Sequence, residues 1–340
     1  MTSERDQVVV VTAQLDAHAD DVIRALGRMG VEVVRLNSDD MPLYTVVRLE
    51  FDGAWHGQLA VTTSGRTVDV DRVRSVWWRR PGLPVLPDTF SAWEREFARA
   101  EIHQVMRGLY ASVDCFWMSH PDAIDRASWK VAQLQRASAL GFEVPRTVVT
   151  TDPQCARRFH ARCGGRVVFK PLTGPYLALD LYQERYPEAP APETDLRLST
   201  LLVGEEELDQ LDGIRTVPTM FQEYVEKALE YRVTVVGRDV YTAEIESQAN
   251  EQTKVDSRLD LEGVTYRAGK LPGQVEELCR QFARADGLSY TAIDLVRTPD
   301  HRYVFLESNP IGQFRYLEDL VPELPLTDAV AGALARGGTD

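Results

Sequence analysis

Cysteine and lysine are scarce in this chain of 340 residues, and long apolar runs are missing. The four cysteines stand apart at positions 115, 155, 163 and 279, which argues against a disulfide framework and a zinc site and fits a reducing compartment. No stretch approaches the ~20 apolar residues of a membrane span, and the first residues lack the basic flank and apolar core of a secretory signal. The sequence therefore indicates a cytoplasmic protein with no membrane partner.

Positive charge is also in short supply, because 38 basic residues stand against 52 acidic ones for a formal net charge of −14. Binding to duplex nucleic acid requires a broad basic surface, so nucleic acid is excluded as a partner. The partners expected are neutral or basic molecules, or small molecules that are reached through a metal.

The pattern of apolar residues predicts a mixed α/β protein. A strand, a helix and a strand at 8–12, 20–29 and 31–36 form a βαβ opening. The remaining predicted elements are short antiparallel strands at 43–50, 55–62 and 68–70, strands at 73–79, 146–150, 166–170, 221–225, 231–236, 239–248, 291–297 and 302–307, and helices at 92–111, 125–140, 153–161, 205–211 and 275–285. Asp125 is the expected N-cap of the helix 125–140, and Gly141 is expected to end it. The segment 171–200 is predicted to be a mobile connection.

A β-hairpin near the end of the chain gathers the most informative polar residues. Two β-rich runs flank a turn at 298–301, and pairing Thr298 with His301 places Asp294 opposite Phe305. Glu307 and Asn309 then extend the same face at the period of two. Clustered oxygen ligands without sulfur or imidazole suit magnesium, and the alternative is a solvent-facing strand whose acids are incidental.

Two of the five lysines stand where they can meet phosphate. Lys170 ends an apolar strand and Lys130 lies within the predicted helix 125–140; either could instead be a surface residue with a buried stem. Phosphate binding by a P-loop is excluded, since 263–270 has one residue too many between its glycines and Leu271 where Ser or Thr is needed. No Gly-x-Gly-x-x-Gly follows the first strand.

The order of these features resembles the ATP-grasp ligases. A lysine ends a strand, a Gln-Glu hinge follows about fifty residues later, an acid and an arginine open the next strand, and an Asp precedes Glu-x-Asn. The chain looks more closely like the microviridin-type peptide ligases, or graspetide synthetases, over nearly its whole length. The motifs that carry this resemblance are 77–80 (Trp-Trp-Arg-Arg), 221–223, 227–232, 247–248 and 309–314.

The resemblance implies an ATP-grasp fold and a set of nucleotide contacts. Lys130 and Lys170 would contact the phosphates of ATP. Glu223 and the backbone of Val225, in the hinge that also holds Gln222, would hold the adenine.

The resemblance also implies how the ribose, the metal and the acyl intermediate are held. Glu230 would take the ribose hydroxyls, and Arg232 would face the phosphates or the acyl phosphate. The three oxygen-bearing residues of the hairpin, Asp294, Glu307 and Asn309, would bind Mg²⁺. Arg258 either helps hold the acyl phosphate or is a solvated charge.

An acidic segment suggests where a peptide docks. Ten acids against two arginines lie between positions 180 and 212, over half of the net charge. In the resembling family an acidic pair before a Leu-Asp-x-Leu helix receives a basic residue of the leader peptide, which here implies Glu206 and Glu207, with Leu208 and Leu211 as apolar contacts. The alternative is that these acids, which lie at the start of a predicted helix, only complement the dipole of that helix.

Together these features predict an N-terminal pre-ATP-grasp βα domain at 1–118 and an ATP-grasp catalytic unit at 119–340, with an inserted lid at about 145–225. The function implied is ATP- and Mg²⁺-dependent cross-linking of a ribosomal precursor peptide, joining Asp or Glu carboxylates to Ser/Thr hydroxyls or Lys amines. A small-molecule carboxylate–amine ligase and an inactive peptide-binding scaffold are the alternatives, and a homodimer is left open.

Overall fold

The computed structural model describes residues 5–173, 200–250, 253–256, 260 and 263–339. Its N-terminal part contains a parallel sheet in the order β2-β1-β6-β7, formed by β1 Gln7–Thr12, β2 Glu32–Asn37, β6 Val73–Arg80 and β7 Phe116–Trp117. Strand β1 is central and buried along its whole length, which explains its run of four valines. The predicted βαβ opening is confirmed by helix α1, Ala17–Arg28.

A small antiparallel sheet and a long helix complete the N-terminal part. The sheet consists of β3 Thr45–Phe51, β4 Trp55–Val61 and β5 Arg66–Asp69, as predicted. Helix α2, Ala92–Ser112, covers one face of the parallel sheet by packing Met106 and Leu109 against Val9 and Val11.

The single helix predicted at 125–140 is wrong, because the structure has two. Helix α3, Pro121–Ala127, is capped by His120 rather than by Asp125, and α4 is Lys130–Leu140. The Ser128 hydroxyl bonds back to the Ile124 carbonyl at 2.8 Å, and Trp129 takes an extended backbone that separates the two helices. The predicted stop at Gly141 is confirmed by its left-handed φ of 103°.

The segment predicted as an inserted lid, about 145–225, contains a four-stranded sheet in the order β10-β9-β11-β8, which we call the lid sheet. That this segment is a lid stays a prediction. Its strands are β8 Thr147–Thr150, β9 Val167–Lys170, β10 Leu201–Leu202 and β11 Thr219–Glu223, and its helices are α5 Pro153–Arg162 and α6 Glu205–Asp209. A 3₁₀ turn at Leu211–Thr216 replaces the end of the helix predicted at 205–211. The mobile connection predicted at 171–200 lies largely outside the described residues.

The largest sheet is antiparallel, in the order β14-β13-β12-β15-β16. It consists of β12 Leu229–Val236, β13 Asp239–Glu246, β14 Thr265–Ala268, β15 Tyr290–Arg297 and β16 Tyr303–Asn309, with helix α7 Gly273–Ala285 packed on the back. The apolar residues of β12 that point to α7, Val233 and Val235, are fully buried. Their polar neighbours Glu230 and Arg232 therefore face the other side of the sheet.

The register predicted for the β15–β16 hairpin is wrong. The turn at 298–301 is present, but His301 takes a left-handed φ of 65°, so Thr298 pairs with Arg302 instead of His301. A bulge then adds Leu306 to β16, and Asp294 pairs directly with Glu307 rather than with Phe305. The predicted shared face of the two carboxylates is confirmed, although it depends on this bulge.

The chain ends in two helices that return to the N-terminal part, α8 Arg315–Leu320 and α9 Leu326–Arg336. Val330 and Leu334 of α9 share one buried cluster with Leu26 of α1 and Trp77 of β6. The two parts of the chain are thus joined by a common core, and the limits 1–118 and 119–340 remain a prediction. Within the described residues, none of the helices has the length and apolar character needed to cross a bilayer.

Candidate active site

Two carboxylates face each other on the polar side of the large sheet. Asp294 on β15 pairs in register with Glu307 on β16, and their side chains are 29% and 23% exposed. Asn309 pairs with Ala292 and therefore lies on the same face, two residues beyond Glu307. The structure thus brings together the three oxygen-bearing side chains that the sequence singles out.

Each carboxylate has a cationic partner. Lys130 Nζ lies 3.1 Å from Glu307 Oε2, and Arg232 Nη1 donates to Asp294 Oδ1 at 2.8 Å. Burial disfavours the charge on Arg232, but the Asp294 carboxylate outweighs burial and raises the pKa of the guanidinium. The site therefore alternates positive and negative groups across three strands and a helix.

Lys130 is not placed as predicted. It is the first residue of α4 rather than a mid-helix residue, and its ammonium also donates to the Pro171 carbonyl at 2.8 Å. Because Pro171 follows Lys170 at the end of β9, Lys130 connects the lid with the hairpin that carries Glu307. Lys170 pairs with Met220 at the same end of the lid sheet.

The chemistry of these side chains fits magnesium. Two carboxylates and one amide supply hard oxygen atoms and leave coordination positions for water and phosphate oxygens, which is the way Mg²⁺ is usually bound beside a nucleotide. Among the described residues no group of three or more His, Cys, Asp or Glu side chains could hold a metal by itself.

The hinge between the lid and the large sheet borders a cavity of about 350 Å³. Glu223 and Val225 line it, together with Thr298 and Arg302 at the hairpin turn. Both carboxylate oxygens of Glu223 accept from Arg146 at 2.8 Å, and these hydrogen bonds lower the pKa of Glu223. Sequence reasoning did not find Arg146, since nothing in the local pattern around it signals a partner 77 residues away.

Gln222 does not line this cavity. Its side chain is 1% exposed and donates to the Thr147 hydroxyl at 3.1 Å. Gln222 pairs with Val168 on β9, so the two side chains lie on the same face of the lid sheet. Lys170 is two residues beyond Val168 in the same strand and therefore points to that face as well.

Glu230, at the start of β12, is held by two donors. Lys227 Nζ donates to Glu230 Oε1 at 2.9 Å, and the Ser247 hydroxyl donates to the same oxygen. Lys227 also donates to the Val255 carbonyl at 3.0 Å and is 8% exposed, so the pair is largely buried. The sequence motifs contain both donors, but sequence reasoning assigned neither of them a role.

The acidic helix α6 has a different arrangement from the one expected for leader contacts. Glu206 is exposed, whereas Glu207 accepts from the Gly204 backbone N–H at 2.8 Å and caps the helix. Leu211 is 4% exposed and packs in the lid core with Phe159, and Leu208 packs against the same cluster. Leu211 therefore offers no exposed apolar surface, because the face that carries Leu208 and Leu211 packs in the core of the lid sheet. Leader binding by these residues stays a prediction. Arg258 lies outside the described residues.

Comparisons with known proteins agree with this geometry. A family model described as the MvdD pre-ATP grasp domain matches residues 7–125. The chain is 30% identical to macrocyclase MdnC from Microcystis aeruginosa MRC, solved bound with precursor peptide MdnA, with a TM-score of 0.82 over 97% of this chain and 99% of that chain. It is 29% identical to the Chryseobacterium gregarium RiPP-associated ATP-grasp ligase, solved in complex with ADP and a leader and core peptide, with a TM-score of 0.85 over 97% of both chains.

A third structure shares the fold at lower identity. ATP-grasp ligase PsnB, complexed with a phosphomimetic variant of its minimal precursor, Mg and ADP, is 23% identical, with a TM-score of 0.74 over 98% of this chain and 99% of that chain. No curated protein matches. The fold and the site define an ATP-grasp ligase. The chain belongs to the graspetide-type peptide ligases, the ATP-grasp enzymes that modify ribosomally made peptides.

Proposed function

We propose that this protein uses ATP and Mg²⁺ to cross-link a ribosomal precursor peptide, joining Asp or Glu side chains to Ser/Thr hydroxyls or Lys amines under the guidance of a leader peptide. The observation that carries the proposal is the Asp294–Glu307 pair with its two cations, Lys130 and Arg232. The similarity to MdnC, which was solved with its precursor peptide, supports a peptide as substrate.

The reaction needs activation because a carboxylate does not condense with a hydroxyl or amine in water. The carboxylate of the core peptide attacks the γ-phosphorus of ATP, which releases ADP and leaves an acyl phosphate. The hydroxyl or amine then attacks the acyl carbon, phosphate leaves, and the proton of the nucleophile is released. The protein contributes position and charge neutralisation rather than a covalent nucleophile of its own.

Four side chains on one face of the large sheet would meet the phosphates and the metal. Asp294, Glu307 and Asn309 would hold Mg²⁺, which when bound neutralises phosphate charge and orients the γ-phosphoryl group. Arg232 lies beside Asp294 and would face the transferred phosphoryl group. Its guanidinium is held at 2.8 Å from Asp294, so it would be positioned before the substrate arrives.

The two lysines would meet the phosphates from the lid side. Lys130 joins Glu307 to the Pro171 carbonyl, and Lys170 precedes Pro171 directly. Closure of the lid on a nucleotide would bring both ammonium groups to the phosphate chain. Arg258, outside the described residues, stays a candidate for the acyl phosphate.

The base and the ribose would lie along the hinge. The cavity lined by Glu223 and Val225 has the size for a purine. Gln222 lies on the opposite face of the lid sheet, which also carries Lys170. Within the described residues, both hydrogen bonds to the Glu230 carboxylate end on Oε1, which would leave Oε2 for ribose hydroxyls.

The lid would also dock the leader peptide. Glu206 is exposed, and Leu201 and Leu202 on edge strand β10 are 51% and 48% exposed next to it in the chain. A basic residue of the leader would pair with Glu206, with Glu207 adding to the field while it caps α6. The exposed leucines would take the apolar contact for which Leu211 is unavailable.

The test is to incubate the protein with ATP, Mg²⁺ and a precursor peptide, taken as a short acid- and Thr-rich peptide encoded beside its gene. We expect a loss of one water in mass for each ring and one ADP for each water lost. A product heavier than the precursor by one amino acid would favour a small-molecule ligase. Absence of ADP formation with every peptide tried would favour an inactive scaffold.

A further inference from the structure

The loop Asn309–Phe314, which follows β16, is held by side chains rather than by a neighbouring strand. Three successive carbonyl groups each accept from a different side chain. The Ile311 carbonyl accepts from Arg79 Nη1 at 2.5 Å, that of Gly312 from the Tyr290 hydroxyl at 2.7 Å, and that of Gln313 from Arg232 at 3.5 Å. Backbone groups in a loop usually bond to water, so this degree of fixation indicates a required shape.

The far end of the same loop is held by a histidine. The backbone N–H groups of Phe314 and Arg315 both donate to His18 Nε2 at 3.1 Å. His18 must therefore be neutral with its proton on Nδ1, which lies 3.5 Å from Asp16 Oδ1. Burial lowers the pKa of His18 and keeps it in this accepting form.

Asn309 is anchored at the start of this loop. Its Oδ1 accepts from the Ile311 N–H at 3.1 Å, and its carbonyl accepts from the Gly312 N–H at 3.1 Å. Displacement of Ile311 or Gly312 would therefore move the amide that faces Asp294 and Glu307.

Arg79 and His18 both belong to the N-terminal part of the chain. Arg79 is the last residue but one of β6 and is 2% exposed. Its Nε lies 3.7 Å from Asp16 Oδ2, and its guanidinium carbon lies 6.0 Å from the centroid of the Trp77 ring. Asp16 caps α1 and also accepts from the Thr12 hydroxyl at 2.7 Å. The two side chains thus project from a rigid corner of β1, α1 and β6.

The burial of Arg79 is costly for a residue with a purely structural role. In the described part of the chain, its Nε and Nη2 atoms are buried without a hydrogen-bond partner. Unsatisfied buried donors destabilise a protein, and apolar replacement of a buried ion pair is often neutral or stabilising. The hydrogen bond from Arg79 to the Ile311 carbonyl is therefore better explained by positioning of the loop than by a gain in stability.

We propose that Arg79 and His18 are positioning residues through which the N-terminal part of the chain holds the Asn309–Phe314 loop and so presents Asn309 to the metal–nucleotide complex. This inference rests on the proposed function, in which Asn309 is a magnesium ligand. It gives the pre-ATP-grasp part of the chain a positioning role in a site that lies on a sheet more than 200 residues away in sequence.

The test compares two apolar variants, Arg79→Met and His18→Leu, with a matched control. The control is Ser75→Ala, which removes another buried hydrogen bond between the two parts of the chain, from the Ser75 hydroxyl to the Leu334 carbonyl at 2.8 Å. The first readout is amide hydrogen exchange of residues 309–315 in the protein without ligand. The second is the affinity for a non-hydrolysable ATP analogue, measured by calorimetry with and without Mg²⁺.

We expect Arg79→Met and His18→Leu to speed exchange in this loop alone and to weaken the Mg²⁺-dependent part of nucleotide binding by about tenfold, with affinity in the absence of Mg²⁺ unchanged. Arg79→Lys, which can still donate to the Ile311 carbonyl, should restore part of both properties. Ser75→Ala should change neither.

Wild-type exchange and wild-type Mg²⁺ dependence in both apolar variants would overturn the proposal. If Arg79→Met exchanges faster throughout the molecule because it does not fold, His18→Leu decides the question alone. If the wild-type protein binds no nucleotide with Mg²⁺, the proposed function fails; if it binds and the variants bind equally well, only this inference fails.

Discussion

Replacement of Glu307 by glutamine tests the metal site with the smallest change of shape. Glu307→Gln keeps the size of the side chain and one oxygen, but it removes one of the two negative charges that face the proposed metal. Lys130 loses its ionic partner yet keeps its hydrogen bond to the Pro171 carbonyl at 2.8 Å. We therefore expect the free energy of unfolding to change by only ~1 kcal/mol or less, as for a partly exposed ion pair.

The effect on catalysis should be much larger than the effect on stability. Only Asp294 would remain as an anionic ligand, so the charge that holds Mg²⁺ against the phosphates would be halved. A loss of ~3–5 kcal/mol of transition-state stabilisation lowers turnover ~10²–10⁴-fold. Excess Mg²⁺ should restore little of this loss, because the ligand that orients the metal is still missing.

The assay is ADP release with precursor peptide over a range of Mg²⁺ concentrations, with urea unfolding measured in parallel. Glu277→Gln is the control, since it makes the same change of charge in an acid on α7 that pairs with Arg284 on the surface. Near-normal turnover of Glu307→Gln at saturating Mg²⁺ would remove Glu307 from the metal site. An equal loss in the control would point to net charge rather than to a ligand.

Three further predictions follow from the contacts around the site. Burial lowers the pKa of His18 from its ordinary value of 6.5, so the folded protein loses stability as the pH falls from 6.5 towards the lowered pKa, by up to ~1.4 kcal/mol per pH unit. Urea unfolding between pH 4 and 8 should therefore show a shallower pH dependence of stability in His18→Leu than in the wild type. Equal slopes would contradict this prediction. Gly312→Ala places a Cβ 2.8 Å from Arg232 Nη2 and closer still to the Ala292 Cβ. Thermal unfolding should therefore show that the free energy of unfolding falls by ~1–3 kcal/mol. Unchanged stability would mean that the loop has room for the added methyl group. Glu206→Ala should weaken leader binding roughly tenfold, while the affinity for nucleotide without peptide stays the same. The affinity of the wild-type protein for the leader should fall with added salt. An unchanged Kd of Glu206→Ala for the leader would refute docking at α6.

Local patterns were sufficient to predict most strands and the polar face of the hairpin. The four valines of β1 and the alternation around Asp294 depend on nearest neighbours and on the period of two, and both are visible in the sequence. The turn at 298–301 was also visible, through its proline. These features are decided within about ten residues of chain.

The remaining features depend on contacts between distant segments. The left-handed His301 and the bulge at Leu306 each change the hairpin register by one residue. The break before Lys130 divides a predicted helix into two. No local preference requires any of these features. Arg79 and Ile311 are 232 residues apart, so their hydrogen bond has no signature in the sequence. The four-residue motif 77–80 that contains Arg79 is visible in the sequence, but the partner of Arg79 is not.

The most direct measurement of the central claim follows an oxygen atom. A precursor peptide whose core Asp and Glu carboxylates carry a heavy oxygen isotope is incubated with the protein, ATP and Mg²⁺, and the released phosphate is analysed by mass spectrometry. Activation as an acyl phosphate predicts one heavy oxygen in the phosphate for each ring formed, because the bridging oxygen leaves with phosphorus. Ring formation with unlabelled phosphate would contradict the account.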